Sequence, residues 1–395
     1  MATMADVARR AGVSVATVSH VLNGTRPVLP PTRQAVLDAV DDLGYTPNTL
    51  ARSLVTSRTR SIGLAVSAIT NPYFTEILQG VEAAALEHGY SLLIADPHDD
   101  PAHERKVVQL LHERRVDGLI ITPSATPHAL LTYLHRHSVP TVFLDRLIDS
   151  PRDGDATGET PPDAGPVGLP HSPGPAALPA DVRLRFDQVC AENTAPVARL
   201  VTHLAGLGHR RIALVAGLPG LSTTTERIAG HRQGLTAAGL PHDGRLVVHG
   251  DSTAEAAERA TAALLALPAP PTALVTANNA MTIGALRALR DHGLSVPGDL
   301  ALCCFDDFTW ADLFTPRLTA IAQPSREIGA EAVRVLLERL ADPDRPSRTV
   351  RLPCAFVHRS SCGCPDERPA SRSAPRPEQP PTPPHFPESE RGTAP

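Results

Sequence analysis

Five side chains with hydrogen-bonding tips fall within ten residues near the start of the chain. They are Ser14, Thr17, Ser19, His20 and Asn23, in "SVATVSHVLN", and they are interleaved with the small apolar Val15 and Ala16. This set suits reading a nucleic acid better than performing a reaction. Ala and Val can lie against thymine methyl groups, while hydroxyls bond base edges or phosphates. An imidazole can donate to guanine N7 or O6, and Asn23 can reach a backbone phosphate. A second set consists of carboxylates and amides, Asp96, Asp145, Asn278 and Asp306, each just after a short apolar run. Such groups hydrogen-bond a polar small molecule. Each taken singly is more often a turn former or a helix cap than a ligand contact.

The first set needs a helix to hold it. Val18, Val21 and Leu22 recur at i, i+3, i+4 and predict a buried stripe, which turns the polar set to the opposite face. An ordinary solvated helix would be richer in Glu and Lys there. Upstream, "MADVARRAG" predicts a short helix with Val7, Ala8 and Ala11 inward. Gly12 then provides a turn at positive φ, and Ser14 caps the next helix. Two short helices so joined make a helix-turn-helix, whose second helix enters the major groove by its N-terminal end. A third helix is expected in "TRQAVLDAVDDLGY", with Val36, Val40 and Leu43 inward and Gly44 as its stop. In "TPNTLARSLVTSR", Pro47 interrupts, Asn48 caps, and Thr49 to Val55 form two turns, too short to be stable alone in water. Leu54 lies between Arg52 and Arg58, the pattern of an apolar wedge into the minor groove with arginines on phosphates. The rival reading packs Leu54 on the body of the protein.

The second set needs a sheet. "SIGLAVS", "YSLLIAD", "DGLIITP" and "PTVFLD" alternate with amphipathic stretches. After a break, "RRIALVAG", "TALVTAN" and "LALCCFD" do so again. This alternation predicts two α/β lobes built on parallel strands, with a ligand cleft outside the carboxyl ends of the strands. The break, Pro151 to Ala180, and the tail from Pro365 onward hold 18 of the 40 prolines and show no apolar periodicity, so both read as disordered.

Bulk properties narrow the function. The 395 residues suffice for two domains or more, with 42% hydrophobic content and a net charge of −5. Residues 1–60 carry seven arginines against four aspartates, net +3, which leaves −8 on the remainder and suggests an anionic partner for the head. There is no apolar run of transmembrane length and no secretory h-region, so the expected location is the cytoplasm. The six cysteines, Cys190, Cys303, Cys304, Cys354, Cys362 and Cys364, are irregularly spaced. "HRSSCGC", His358 to Cys364, lacks a second Cys/His pair at ligand spacing. The thiols are therefore expected to be free, with no metal site and no cofactor. No G-x-S-x-G elbow, Walker loop or H-E-x-x-H is present, which argues against an enzyme. Asp306 and Asp307, adjacent on a strand, point to opposite faces and make poor paired catalysts.

The segments "MADVARRAGVSVATVSHVLNG", "YTPNTLARSL", "SIGLAV", "NPYF", "RVDGLII", "LGHRRIALVAG", "ERIAGHRQGL", "TANNAMTIGALRAL" and "FDDFTWADLFTPRLTAIAQP" resemble successive signatures of the LacI/GalR transcriptional regulators, from about Thr3 to Ser361. The head looks most like the purine-repressor branch. The resemblance implies an all-α head over residues 1–46, a hinge helix and linker over 47–60, and a two-lobed effector body of periplasmic-binding-protein type over 61–361. A Pro-rich tail over 362–395 would follow. It further implies a homodimer or tetramer on a pseudo-palindromic operator. Thr25, Asn48, Ala51, Arg52 and Leu54 would complete the DNA contacts, Leu54 at a central CG step. For the effector it implies Phe74, Asp145, Thr223, Arg227, Asn278, Asp306 and Trp310, a set suited to a sugar or sugar derivative, with a nucleobase or nucleoside as the alternative. The same body without gene regulation would be a sugar-binding carrier, against which the DNA-binding head argues. Two positions depart from the family pattern: Asn279, where many members carry Asp, and Ser252, where many carry an aromatic.

Overall fold

The structure is a computed structural model that describes residues 2–24, 26–46, 58–67, 69, 71–148 and 186–364. Residues 47–57 of the hinge and linker expected over 47–60, the Pro-rich break at 151–180, Thr25 and the tail from 365 lie outside the described residues.

The head is three helices: α1 (Met4–Ala11), α2 (Val15–Asn23) and α3 (Pro30–Leu43). Local chemistry defines each end. Thr3 and Asp6 form a reciprocal capping box on α1, and Gly12 closes it at φ 67°. The Ser14 hydroxyl accepts from the Thr17 amide at the start of α2. Val7, Ala8, Val18, Val36, Ala39 and Tyr45 form the core of the head. Arg10 on α1 reaches Asp42 on α3 at 2.6 Å. α3 starts earlier than its pattern suggests, with prolines in its first turn. Leu43, expected inward, is exposed, and Ala39 occupies the buried position beside Val36. Residue 43 keeps the face of residue 36, seven positions on, but it stands at the helix end outside the packed core of the head.

The body contains two six-stranded sheets. The first has the order β11-β5-β4-β3-β1-β2 and is parallel throughout. Its strands are β1 (Ser61–Ala65), β2 (Ser91–Ala95), β3 (Gly118–Ile121), β4 (Thr141–Leu144), β5 (Asp187–Ala191) and β11 (Thr349–Leu352). The second has the order β12-β10-β9-β8-β6-β7, with β6 (Ile212–Ala216), β7 (Val247–His249), β8 (Ala273–Thr276), β9 (Ala301–Phe305), β10 (Thr319–Ala322) and β12 (Ala355–Val357). Only the β10–β12 pair in it is antiparallel. Every residue of β3, β4, β5, β6, β8 and β9 is buried, as expected of parallel strands covered on both faces. The chain passes between the lobes after β5, after β10 and between β11 and β12. The short edge strands β7, β11 and β12, the short β10 between β12 and β9, and β5 next to the Pro-rich break were not evident in the apolar pattern.

Helices cover the sheets: α4 (Pro72–Glu87), α5 (Pro101–Glu113) and α6 (His128–His137) on the first lobe, and α7 (Thr194–Gly206), α8 (Ser222–Ala237), α9 (Ala254–Leu265) and α10 (Asn279–Asp291) on the second. Helix α11 (Ser325–Ala341) returns from the second lobe to pack on α4 and the first sheet. Glycines make that crossing close. A Cβ at Gly80 would stand 2.1 Å from the Arg326 carbonyl oxygen, and one at Gly329 would stand 2.3 Å from that of Ile77. The chain remains packed beyond Ser361: Cys362 is fully buried, so the expected boundary of the tail at 362 falls inside the folded body. No described helix is long and apolar enough to cross a membrane.

Candidate functional site

Two faces collect the polar groups. On the head, the outer side of α2 presents Val15, 46% exposed, with Ala16 and Asn23 also exposed. Thr17, Ser19 and His20 are half-buried beside them. The Ser14 and Thr17 hydroxyls lie 2.9 Å apart, and Asn23 donates to the Ser19 hydroxyl at 3.1 Å. The stripe beneath is Val18, fully buried, flanked by partly buried Val21 and Leu22. A helix with this outer face can approach a groove closely because its protruding side chains are short. Asn48, Ala51, Arg52 and Leu54 lie outside the described residues, as does Thr25.

Between the lobes, two aspartates occupy equivalent places. Asp145 follows β4 and Asp306 follows β9. Both are buried, and both adopt a left-handed backbone, at φ 66° and 74°. Non-glycine residues held there often mark functional positions, although Asp tolerates the region better than most. The Tyr73 hydroxyl donates to Asp145 at 2.6 Å, and Gln323 Nε2 donates to Asp306 at 2.6 Å. Burial raises both carboxyls above the ordinary range. The Arg146 and Arg227 guanidiniums oppose that rise at Asp145, and Arg227 and Gln323 oppose it at Asp306. Burial also holds the Tyr73 phenol well above its usual value, so this hydroxyl stays protonated as a donor.

Arg227, on α8, is the central cation. Its Nε donates to Asn193 Oδ1 at 2.9 Å and its Nη1 to the Ala277 carbonyl at 2.5 Å. Its guanidinium lies 3.8 Å over the Phe305 ring centroid. Asn193 is further fixed by donating to Glu226 at 2.9 Å. Thr223 is buried one turn before Arg227. A cavity of about 230 Å³ is lined by Asn71, Pro72, Ser252, Asn279, Ala280, Ile283, Phe308 and Trp310, and it meets the aspartate network through Asn279, whose backbone amide donates to Asp306 at 3.4 Å. Trp310 is 46% exposed and meets Phe308 edge-on, a half-open aromatic platform at the mouth.

Of the expected effector residues only Trp310 lines this cavity; Asp145, Thr223, Arg227 and Asp306 are buried and are not part of its lining. Phe74 is buried in the core of the first lobe, edge-to-face with Tyr73, and does not line the cavity. The Asn278 side chain caps α10 by accepting from the Met281 amide at 2.7 Å and donates to the Ser252 carbonyl at 3.4 Å. Its neighbour Asn279 faces the cavity instead and donates across the lobes to Asn71 Oδ1 at 2.8 Å. Asp96 is spent on its own turn, accepting from the His98 amide at 2.7 Å. Asp307 turns away from Asp306 and binds Arg359 at 2.8 and 2.9 Å. Asn71, Tyr73, Asn193 and Gln323 are additional polar partners. "NPYF" already carried the first two and "FDDFTWADLFTPRLTAIAQP" carried Gln323, whereas Asn193 comes from a segment without a distinguishing pattern.

A three-helix reading head joined to a two-lobed body with a polar, aromatic-edged cleft defines a ligand-responsive DNA-binding protein. The sequence profile for "Bacterial regulatory proteins, lacI family" matches residues 3–48, and that for "Periplasmic binding protein-like domain" matches residues 201–362. The HTH-type transcriptional repressor PurR of Vibrio atlanticus is 32% identical over 363 residues, covering 91% of this chain and 98% of that protein. The lac repressor dimer bound to operator and the anti-inducer ONPF superposes with a TM-score of 0.75 at 27% identity, covering 91% of this chain and 99% of that one. The transcriptional regulator CelR–cellobiose complex superposes with a TM-score of 0.65 at 29% identity, covering 91% and 100%. The chain belongs to the LacI/GalR family of bacterial transcriptional regulators. It is a DNA-binding repressor of that family, with a small-molecule effector, and not an enzyme.

Proposed function

We propose that this repressor responds to a sugar or sugar derivative bound between the lobes, with Asp145, Asp306 and Arg227 as its principal polar contacts. The observation that carries this reading is the pair of buried aspartates, one per lobe, sharing the Arg227 field, with Asn279 linking Asp306 to the cavity edged by Phe308 and Trp310. Carboxylates accept from vicinal hydroxyls, a guanidinium donates back, and an aromatic face covers the apolar side of a pyranose or furanose ring. Thr223 and Trp310 belong to the same set. Asn279 replaces Asn278 in it, and Phe74 acts through Tyr73. The CelR–cellobiose complex supports the sugar class. A second reading, a purine nucleobase or nucleoside, is favoured by the curated relatives named PurR.

The working division is a head over residues 1–46, a hinge over 47–60 and an effector body from 61, acting as a homodimer on a two-fold operator. Ser14 to Asn23 with Thr25 read the major groove, and Asn48, Ala51, Arg52 and Leu54 the minor groove. An effector that prefers one lobe arrangement by 1–3 kcal/mol changes operator affinity about 5–150-fold. A thermal-shift panel of monosaccharides, disaccharides, sugar acids, sugar phosphates, nucleobases and nucleosides tests the reading, because a bound ligand raises the melting temperature by mass action. A sugar hit lost in Asp306→Ala is the expected result. A purine hit lost in the same variant establishes the second reading. A hit untouched by Asp306→Ala removes the cleft assignment.

A further inference from the structure

Four metal-ligating side chains meet at the far end of the second lobe, away from both faces described above. His203 comes from the last turn of α7, and His358, Cys362 and Cys364 come from the stretch following β12. One donor atom from each lies within 4.8 Å of every other. His358 Nε2 stands 3.4 Å from Cys362 Sγ, and His203 Nε2 stands 3.7 Å from Cys364 Sγ. The His203 and His358 rings are 5.2 Å apart, both against Phe356. The 3.4 and 3.7 Å donor separations are those of a tetrahedral shell, and the 4.8 Å bound on the remaining pairs asks for an inward shift of at most about 1–1.5 Å on binding. Zn–S bonds of about 2.3 Å and Zn–N bonds of about 2.0–2.1 Å place neighbouring donors roughly 3.3–3.8 Å apart.

We propose that His203, His358, Cys362 and Cys364 form a structural zinc site that clamps the segment after β12 onto α7. Two thiolates and two imidazoles make a borderline-soft donor set that suits zinc over the hard cations. Two thiolates also balance the ion's charge. All four positions are filled by protein, which is the mark of a structural site, since catalytic zinc keeps a position open. The location agrees. Helix α7 begins beside Asn193 at the cleft, and His203 lies ten residues further along, about 15 Å at 1.5 Å per residue. The metal therefore stands apart from the effector contacts. Cys362 is fully buried in the core of the second lobe, while His358 is exposed and leaves a path for the ion to enter. The spacing of "HRSSCGC" alone could not show this, because its fourth partner is 155 residues upstream.

The test uses the full-length chain, purified under reducing conditions, given one equivalent of Zn²⁺, dialysed against metal-free buffer and assayed for bound metal. Co²⁺ is substituted in parallel. The expected result is one zinc per chain. Cobalt should give the strong visible absorption of tetrahedral coordination, together with a thiolate charge-transfer band. In His358→Ala, whose side chain is at the surface, and in Cys364→Ser, metal affinity should fall by more than about 100-fold, beyond the loss from removing an outer partner. The wild-type cobalt spectrum stands even if a variant fails to fold. The proposal is overturned by less than a tenth of an equivalent of zinc in reduced wild type, by cobalt absorption lacking the thiolate band, or by variants that hold zinc as tightly as wild type. Isolation of the native protein with a Cys362–Cys364 disulfide, and no zinc uptake after its reduction, overturns it as well.

Discussion

Arg227→Met removes the guanidinium but keeps most of the length of the side chain, and its consequences follow from the groups left behind. Asp145 and Asp306 are buried at 6% and 4% exposure, and Arg227 draws both carboxyls downward. The Asn193 Oδ1 and Ala277 carbonyl acceptors each lose a donor, and Phe305 loses its stacked cation. Breaking a buried charge network by deleting one partner costs about 3–5 kcal/mol. The melting temperature of the body should fall by on the order of 10 °C at pH 7.5. The pH dependence carries a definite sign. Without the cation the folded-state carboxyls rise further above their unfolded value near 3.8. A group with a raised folded pKa contributes stability that is present below the unfolded pKa and lost as pH rises through the folded one. The deficit of the variant relative to wild type should therefore shrink as pH falls from 7.5 toward 5. Urea unfolding of the full-length protein at both values measures it. A deficit below about 1 kcal/mol, or one equal at the two pH values, would refute the electrostatic account of the cleft.

Other consequences are smaller or act elsewhere. His231 is buried, with Nε2 facing the Ile212 carbonyl at 3.0 Å and Nδ1 without a partner, and burial lowers its pKa to about 4. Its folded pKa is depressed, so the unfolded chain takes up the proton first. Stability falls as pH drops from 6.5 toward 4, by up to about 3 kcal/mol, and His231→Gln flattens that slope in denaturant titrations. Val18→Ala deletes two methyl groups from the head core and should cost about 2 kcal/mol including the cavity. It should weaken operator binding while leaving effector titrations unchanged. Asn279→Ala removes the 2.8 Å bond to Asn71 between the lobes, worth about 1 kcal/mol. Effector affinity should shift by up to about fivefold, with an opposite or matching shift in operator affinity, and unchanged values for both would show that the bond does not bias lobe closure.

The parts legible in the sequence were those set by local chemistry. The caps at Thr3 and Ser14, the left-handed Gly12 and the buried stripe of α2 depend on residues three or four apart, and each was readable there. The central strands announced themselves because full burial demands unbroken apolar runs. The aspartates at the ends of β4 and β9 were legible only as polar residues after apolar runs, and Asp96 and Asn278, which share that pattern, serve a turn and a helix cap instead. What escaped depends on geometry that spacing does not carry. Asn278 and Asn279 are adjacent and chemically identical, and only the start of α10 decides which one caps and which faces the cavity. Phe74 and Tyr73 pose the same problem at the start of α4. Leu43 fits the periodic pattern but stands at a helix end with nothing to cover it. The Cys/His cluster needs a turn of α7 brought against the segment after β12, a contact set by tertiary packing alone.

The most direct test of the account is operator binding measured by fluorescence anisotropy at fixed salt, with and without a saturating concentration of the ligand identified by thermal shift, in wild type and in Asp306→Ala. The account predicts a change in operator affinity of about 5–150-fold in wild type and none in the variant, with operator DNA altering ligand affinity by the same factor. A ligand that binds the cleft tightly and leaves operator affinity unchanged would contradict it.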